Sequence, residues 1–359
     1  MSSYSVAKVP GDGTGPEVVE EAVKVLGAAA AVHGFEIEYH ELDLGGERYL
    51  RTEETLTGAD LQTLSTADAI LFGAVGHPEV PPGILEQQIL LRMRRELDQF
   101  INLRPVKLHP GVKGPLRDVD PSDVDMVVVR ENSEGLYVNQ GEFIAKGGPF
   151  EVAVQQSVNS RFAVERCIRY AFDLAASRPR RHLTMCGKTN VLTFASDLWS
   201  RVFEEVGSEY PQVERAYAHI DAACYWMVED PGRFDVVVTD NMFGDIITDL
   251  GAAIQGGLGV AAGANINPNG VSMFEPIGGT APGFEGTDLI NPLAAIGAAA
   301  MMLDVLGESS VAAAVERAVG EVAGSLPSLR AGEMGISTTE VGDRVVSLVA
   351  ESKTAGATR

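Results

Sequence analysis

Asp245 and Asp249 stand four residues apart in FDVVVTDNMFGDIITDLGAA, residues 234–253. Residues 234–239 are apolar and β-branched, which predicts a strand buried on both faces. Residues 241–244, Asn-Met-Phe-Gly, break the run and predict a tight turn, and apolar spacing of helical period resumes from 245. Carboxylates at i and i+4 of a helix share one face and repel by a few tenths of a kcal/mol. A hard divalent cation, Mg²⁺ or Mn²⁺, takes such oxygen ligands and removes the repulsion. A solvated acidic helix face is the other reading of the same spacing. Asp221 follows a predicted strand at 214–220 and opens a predicted helix at 222–228. It is either that helix's N-cap or a third carboxylate for the cation.

The cations are scarcer: 28 Lys and Arg against 50 Asp and Glu. Arg94, Arg104 and Arg130 all fall near predicted element ends. There a guanidinium can bind a carboxylate through two parallel hydrogen bonds. Each alone reads as a surface ion pair, but the three together predict a pocket for a polycarboxylate. Lys188 closes the predicted strand 182–186, as a titrating group or as an ordinary solvated lysine. Gly11-Asp-Gly13-Thr14-Gly15 separates a predicted strand at 5–10 from a helix at 16–33. Its spacing fits neither the dinucleotide fingerprint nor the Walker loop. It is a tight turn, or a place where helix amides approach an anion. Residues 277–286, Ile-Gly-Gly-Thr-Ala-Pro-Gly-Phe-Glu-Gly, form a loop of small residues. It can admit a nucleotide backbone or be a surface Ω-loop.

Strands alternating with helices must carry these groups. Strands at 35–43, 67–74, 127–130 and 149–158, with helices at 56–64, 85–100, 160–177 and 197–209, predict an α/β fold with parallel pairing. Three more helices are expected at 292–306, 311–326 and 338–351. A chain of 359 residues favours two domains. A net charge of −22 argues against nucleic acid and anionic membrane surfaces as partners. Cys167, Cys186 and Cys224 are an odd, scattered set, neither a disulfide framework nor a zinc site, and fit a reducing cytoplasm. No targeting or membrane-spanning segment is expected, and the polar end ESKTAGATR is expected to fray.

Taken in order, GDGTGPE at 11–17, LLRMRRELDQFINLRP at 90–105, VVVRENSEGLY at 127–137, GKTNVL at 187–192, HIDA at 219–222, the 234–250 stretch and FEPIGGTAP at 274–282 resemble the β-decarboxylating dehydrogenase family of isocitrate and isopropylmalate dehydrogenases. The resemblance covers nearly the whole chain. It implies an α/β, two-domain fold with mixed sheets flanked by helices, and not the Rossmann fold. Residues 1–101 and 256–359 would form one domain carrying most of the nucleotide site. Residues 102–255 would form an inserted domain for dimerisation, metal and substrate. It implies a homodimer whose active clefts take Lys188 and Asp221 from the partner subunit. The substrate would be a 2-hydroxy acid with a C3 carboxylate, oxidised by NAD and decarboxylated. Arg94, Arg104 and Arg130 would grip its carboxylates. Asp221, Asp245 and Asp249 would hold Mg²⁺ or Mn²⁺, with Asp221 also touching substrate. Lys188 would take the hydroxyl proton and Tyr137 would protonate the enol. Gly13, Thr14, Asn190, Glu275, Gly279, Thr280, Ala281, Pro282 and Asn291 would line the cofactor.

Leu90 and Leu91 resemble the apolar wall that isopropylmalate enzymes offer their substrate, and Asn190-Val191 resembles the same branch. The tartrate/D-malate branch shares a similar Leu pair and is the alternative. The chain departs from the family in the nucleotide loop. Gly278 and Gly283 stand where a His and a ribose-binding Asp are usual, which leaves room for NADP or for a paralogue with another substrate. NAD is favoured because residues 277–292 hold no basic group for a 2′-phosphate. A non-catalytic dicarboxylate- or nucleotide-binding protein is the rival of another class. A phosphoryl-transfer enzyme would need a Lys after the first glycines, where Pro16-Glu17 stands.

Overall fold

The structure is a computed structural model that describes residues 2–117 and 119–356. Its strands are β1 Ser3–Gly11, β2 Glu36–Glu41, β3 Ala69–Ala74, β4 Ile101–Lys107, β5 Asp125–Glu131, β6 Gly141–Ile144, β7 Val152–Gln155, β8 His182–Gly187, β9 Glu214–His219, β10 Val236–Thr239, β11 Ala262–Ile266 and β12 Ser272–Pro276. Its helices are α1 Gly15–His33, α2 Gly46–Thr52, α3 Gly58–Thr66, α4 Leu91–Glu96, α5 Arg161–Ser177, α6 Thr193–Gly207, α7 Ile220–Glu229, α8 Asn241–Ile254, α9 Leu293–Val305, α10 Ser309–Ser325 and α11 Thr338–Gly356.

Ten of these strands form one sheet, in the order β2-β1-β3-β12-β11-β4-β5-β10-β8-β9. Pairing is parallel on both flanks, as alternation predicts. It is antiparallel at β12–β11, β11–β4 and β4–β5. The antiparallel centre arises because β11 and β12 are a hairpin, turned at Asn267-Pro-Asn-Gly270. Asn, Pro and Gly in succession are themselves a turn signal.

Side-chain alternation buries the sheet on both faces. On β5 and β10, Val129, Val236 and Val238 pack under α5 and α6, whereas Val128 and Val237 pack under α7 and α8. On β1 and β3, Val6 and Leu71 face α1 and α9, while Val9 and Phe72 face a second core with Ile89 and Met93. The apolar α9 is buried almost along its whole length. β6 and β7 stand apart as an exposed two-stranded ribbon.

Several local expectations change. Asn241-Met-Phe-Gly244 is not a turn but the first turn of α8, capped by Asp240, whose carboxylate accepts from the Phe243 N–H at 2.8 Å. Asp221 is not an N-cap: His219 holds that position and Asp221 lies in the first turn of α7. The helix expected over 85–100 opens as a wider π-type turn at Glu86–Leu90 and ends with α4, and Asp98 takes a left-handed φ of 47° that turns the chain towards β4. The short helix α2 and the strands β4, β6, β11 and β12 are additions to the elements expected from sequence. The end expected to fray is helical to Gly356, and residues 357–359 lie outside the described residues.

Candidate active site

Strand β5 and helix α8 bring two predicted groups together. In the sheet Arg130 pairs with Thr239 of β10, and α8 starts two residues later. Arg130 Nη1 donates to Asp245 Oδ1 at 2.5 Å, and Nε and Nη2 donate to Asn241 Oδ1 at 3.1 and 2.7 Å. Tyr137 Oη donates to the other Asp245 oxygen at 2.6 Å. The guanidinium also lies 5.2 Å from the centroid of the Tyr137 ring. Gly244 makes this packing possible, since a Cβ there would sit 2.4 Å from Arg130 Cγ. Its glycine therefore serves side-chain room, not a bend.

Burial raises the Asp245 carboxyl, but the Arg130 charge and the Tyr137 hydroxyl outweigh it and hold the group below its usual range. Burial, with the bond to Asp245, raises the Tyr137 phenol. Asp245 therefore stays an anion while Tyr137 stays protonated.

Arg94 and Arg104 meet at Glu275. Arg94 Nη2 donates to Glu275 Oε1 at 3.2 Å, and Arg104 Nη2 stands 3.6 Å from the same oxygen. Burial pulls both guanidiniums down, Arg104 to about 10, which leaves Arg104 a cation at neutral pH. The charges of Arg130 and Asp245 act on both. Three arginines from α4, β4 and β5 thus converge. Arg104 lies inside β4 and not at an element end. Leu90 and Leu91 sit half-buried one turn before Arg94. Glu275, expected on the nucleotide side, is buried and engaged as the counter-ion of this clamp.

Lys188 and Asp221 form a separate, exposed pair, Nζ to Oδ1 at 2.6 Å. The Lys188 bond, first among the causes, lowers the Asp221 carboxyl. Asp249 is exposed one turn beyond Asp245. Among the described residues no three acidic, His or Cys side chains form a cluster that could hold a metal ion, so the chain alone does not unite Asp221 with Asp245 and Asp249. Asn190 is exposed in the turn after Lys188.

The two glycine-rich loops are in contact. Thr14 N–H and Oγ1–H donate to the Thr280 carbonyl at 3.1 and 3.2 Å. Gly13 has φ of 59°, and a Cβ there would come 2.3 Å from the same oxygen. Beside them a cleft of about 800 Å³ is lined by Thr14, Gly278, Gly279, Ala281 and Asn291. Pro282 is exposed on the loop. Asp12, which sequence reasoning passes over, ties three loops: it accepts from Gly46 N–H at 2.8 Å and Gly76 N–H at 2.9 Å. Lys113 and Arg330 also line the cleft, both from outside the 277–292 loop.

Residues 5–345 match the isocitrate/isopropylmalate dehydrogenase family model. A 3-isopropylmalate dehydrogenase of Thermobifida fusca is 52% identical over 356 residues, 98% of this chain and 99% of the relative. One of Streptomyces coelicolor is 49% identical over 350 residues, 97% of this chain and 99% of the relative. The solved isocitrate dehydrogenase of Methylococcus capsulatus superposes with a TM-score of 0.86 at 33% identity, covering 97% of this chain and 99% of that one. The mixed-sheet α/β fold is thus of this type and not Rossmann, and the chain belongs to the isocitrate/isopropylmalate dehydrogenase family.

Proposed function

We propose that the chain oxidatively decarboxylates 3-isopropylmalate to 2-oxoisocaproate with NAD, a step of leucine biosynthesis in the cytoplasm. The observation that carries this is the convergence of three buried arginines, Arg94 and Arg104 on Glu275 and Arg130 on Asp245, beside Tyr137. The half-buried Leu90 and Leu91 beside Arg94 suit an isopropyl group. Relatives named 3-isopropylmalate dehydrogenase, about 50% identical over nearly the full length, support the same substrate.

The donor chemistry fits the implied groups. Asp245 and Asp249 offer hard oxygens one turn apart, and Mg²⁺ or Mn²⁺ is commonly held by one or two carboxylates together with substrate and water. The cleft at Thr14, Gly279, Ala281 and Asn291 has the volume of a ligand site. When bound, the nicotinamide would supply a hydride acceptor and the cation Lewis-acid stabilisation of negative charge. Arg94, Arg104 and Arg130 orient the substrate's carboxylates through their forks. Lys188 takes the C2 hydroxyl proton, directly or through water. After the C3 carboxylate leaves as CO₂, Tyr137, kept protonated by burial and Asp245, donates a proton to C3.

Residues 102–255 are read as the inserted domain, with 1–101 and 256–359 forming the other. A homodimer completes the site, with Lys188 and Asp221 reaching the partner's Asp245 and Asp249. Its support is the apolar surface this segment leaves open: Phe194 is 94% exposed and Tyr225 62%, with Phe143, Ile144 and Ile246 about half exposed. A lone two-stranded ribbon carrying such residues is not stable in water.

The test is nicotinamide reduction, followed by its near-ultraviolet absorbance, with Mg²⁺ or Mn²⁺. The substrates are 3-isopropylmalate, D-malate, tartrate, isocitrate and homoisocitrate, each with NAD and NADP. Turnover of 3-isopropylmalate with NAD is expected. Turnover of D-malate or tartrate in its place overturns the substrate, and silence with all of them overturns the enzymatic reading.

A further inference from the structure

The two arginines that meet at Glu275 are held by a closed ring of buried side chains. Arg104 Nε donates to Asn102 Oδ1 at 2.6 Å. Asn102 Nδ2 donates to Asn265 Oδ1 at 2.9 Å, and Asn265 Nδ2 donates to Glu275 Oε1 at 2.8 Å. Glu275 returns the chain to Arg104 at 3.6 Å and takes Arg94 at 3.2 Å. Asn132 Nδ2 adds a second donor to Asn265 Oδ1 at 3.0 Å. The ring spans four neighbouring strands or their ends, and Asn265 and Asn102 are direct cross-strand partners. Asn102 and Asn265 are fully buried. A buried amide with its partners satisfied is fixed in direction.

Gly263, two residues before Asn265, lies against Arg104. A Cβ there would come 2.8 Å from Arg104 Nε and 3.0 Å from its Cζ. Its φ is not positive, so backbone freedom does not call for glycine. The room it leaves is the room the guanidinium occupies.

We propose that Gly263 and Asn265 of β11 are positioning residues for the carboxylate clamp: Gly263 sets the depth of Arg104, and Asn265 sets the direction of Arg104 and Glu275. Neither touches substrate. A bidentate grip needs the fork in plane with the carboxylate, so a small displacement costs binding. The inference rests on the function proposed above, because the clamp is read as the substrate's.

The experiment compares Gly263→Ala and Asn265→Ser with the unaltered enzyme. The atoms that a methyl group on Gly263 would displace belong to a side-chain end and not to backbone, so Gly263→Ala is expected to fold. Binding of 3-isopropylmalate with Mg²⁺ is measured by calorimetry, NADH binding by fluorescence, and KM and kcat separately. Both variants are expected to weaken substrate binding and raise KM about tenfold, with kcat and NADH affinity within about twofold. A merely structural role would lower the melting temperature and move both ligands together, and that result overturns the proposal. Unchanged substrate affinity in both variants also overturns it while leaving the function intact. An unaltered enzyme that binds no 3-isopropylmalate overturns both readings.

Discussion

The arginine clamp and the Lys188–Asp221 pair are both charge pairs, and they are built in opposite ways. Arg94, Arg104 and Glu275 are less than a tenth exposed, and asparagines from neighbouring strands fix Arg104 and Glu275. Lys188 and Asp221 have side chains 24% and 67% exposed, and β9 and α7 around them carry uncovered Tyr217 and Tyr225. A desolvated pair inside one chain is preorganised before any ligand arrives. An exposed pair with an apolar rim is what the proposed shared site requires of each chain. On the function proposed above, the chain finishes its substrate grip by itself and would leave its proton-transfer and third metal group to be completed by another surface.

The largest effect should come from Asp245, which is the counter-ion of Arg130 and, on the function proposed above, a ligand of the cation. Asp245→Asn is expected to lower kcat by about 10³-fold and to abolish the protection Mg²⁺ gives against thermal unfolding. Retained Mg²⁺ protection would move the metal elsewhere. Next, Lys188→Ala should cost about 10²–10⁴-fold in kcat. Mixing Lys188→Ala with Asp245→Asn chains is the sharper form. In a two-fold dimer with shared sites each heterodimer rebuilds one intact site, so re-associated mixtures should regain about a quarter of full activity. No recovery would mean that each chain supplies its own lysine.

How much of this can be read from sequence follows the same division. Asp245, Asp249 and Arg130 are legible because they lie at a strand end and on a strand-helix unit, whereas Tyr137 is singled out only by the family resemblance. That Asn241–Gly244 is helical is hidden, because the apolar period falters while Asp240 supplies the cap. The Lys188–Asp221 contact needs pairing information: parallel β8 and β9 put Gly187 opposite His219, so the residues just beyond lie side by side. The asparagine ring is not legible at all. Asn102, Asn132 and Asn265 are far apart in sequence and have no hydrophobic period, and only the antiparallel register of β4, β5 and β11 unites them. Glu275 stands out in the sequence, but its engagement with two arginines depends on that same register.

Stability separates the two regions where activity does not. Glu275→Gln leaves Arg94 and Arg104 buried without their shared anion, and breaking such a pair costs about 3–5 kcal/mol. The melting temperature should fall clearly, and a bound substrate dianion should restore more of it than in the unaltered chain. A variant that melts normally would show that Arg130 and Asp245 already balance the clamp.

The smallest effect is expected at Asp221. Its carboxylate is in solvent, and exposed ion pairs gain little over hydration and are screened by salt. Asp221→Asn should therefore leave the melting temperature where it is at low and at high ionic strength, even as kcat falls. The comparison turns on this pair of outcomes. If Asp221→Asn destabilised the protein as much as Glu275→Gln, the Lys188–Asp221 contact would be a structural bridge within the chain. A silent melting curve with a crippled kcat leaves a carboxylate that does nothing for its own fold, as a group held out for a neighbouring site must.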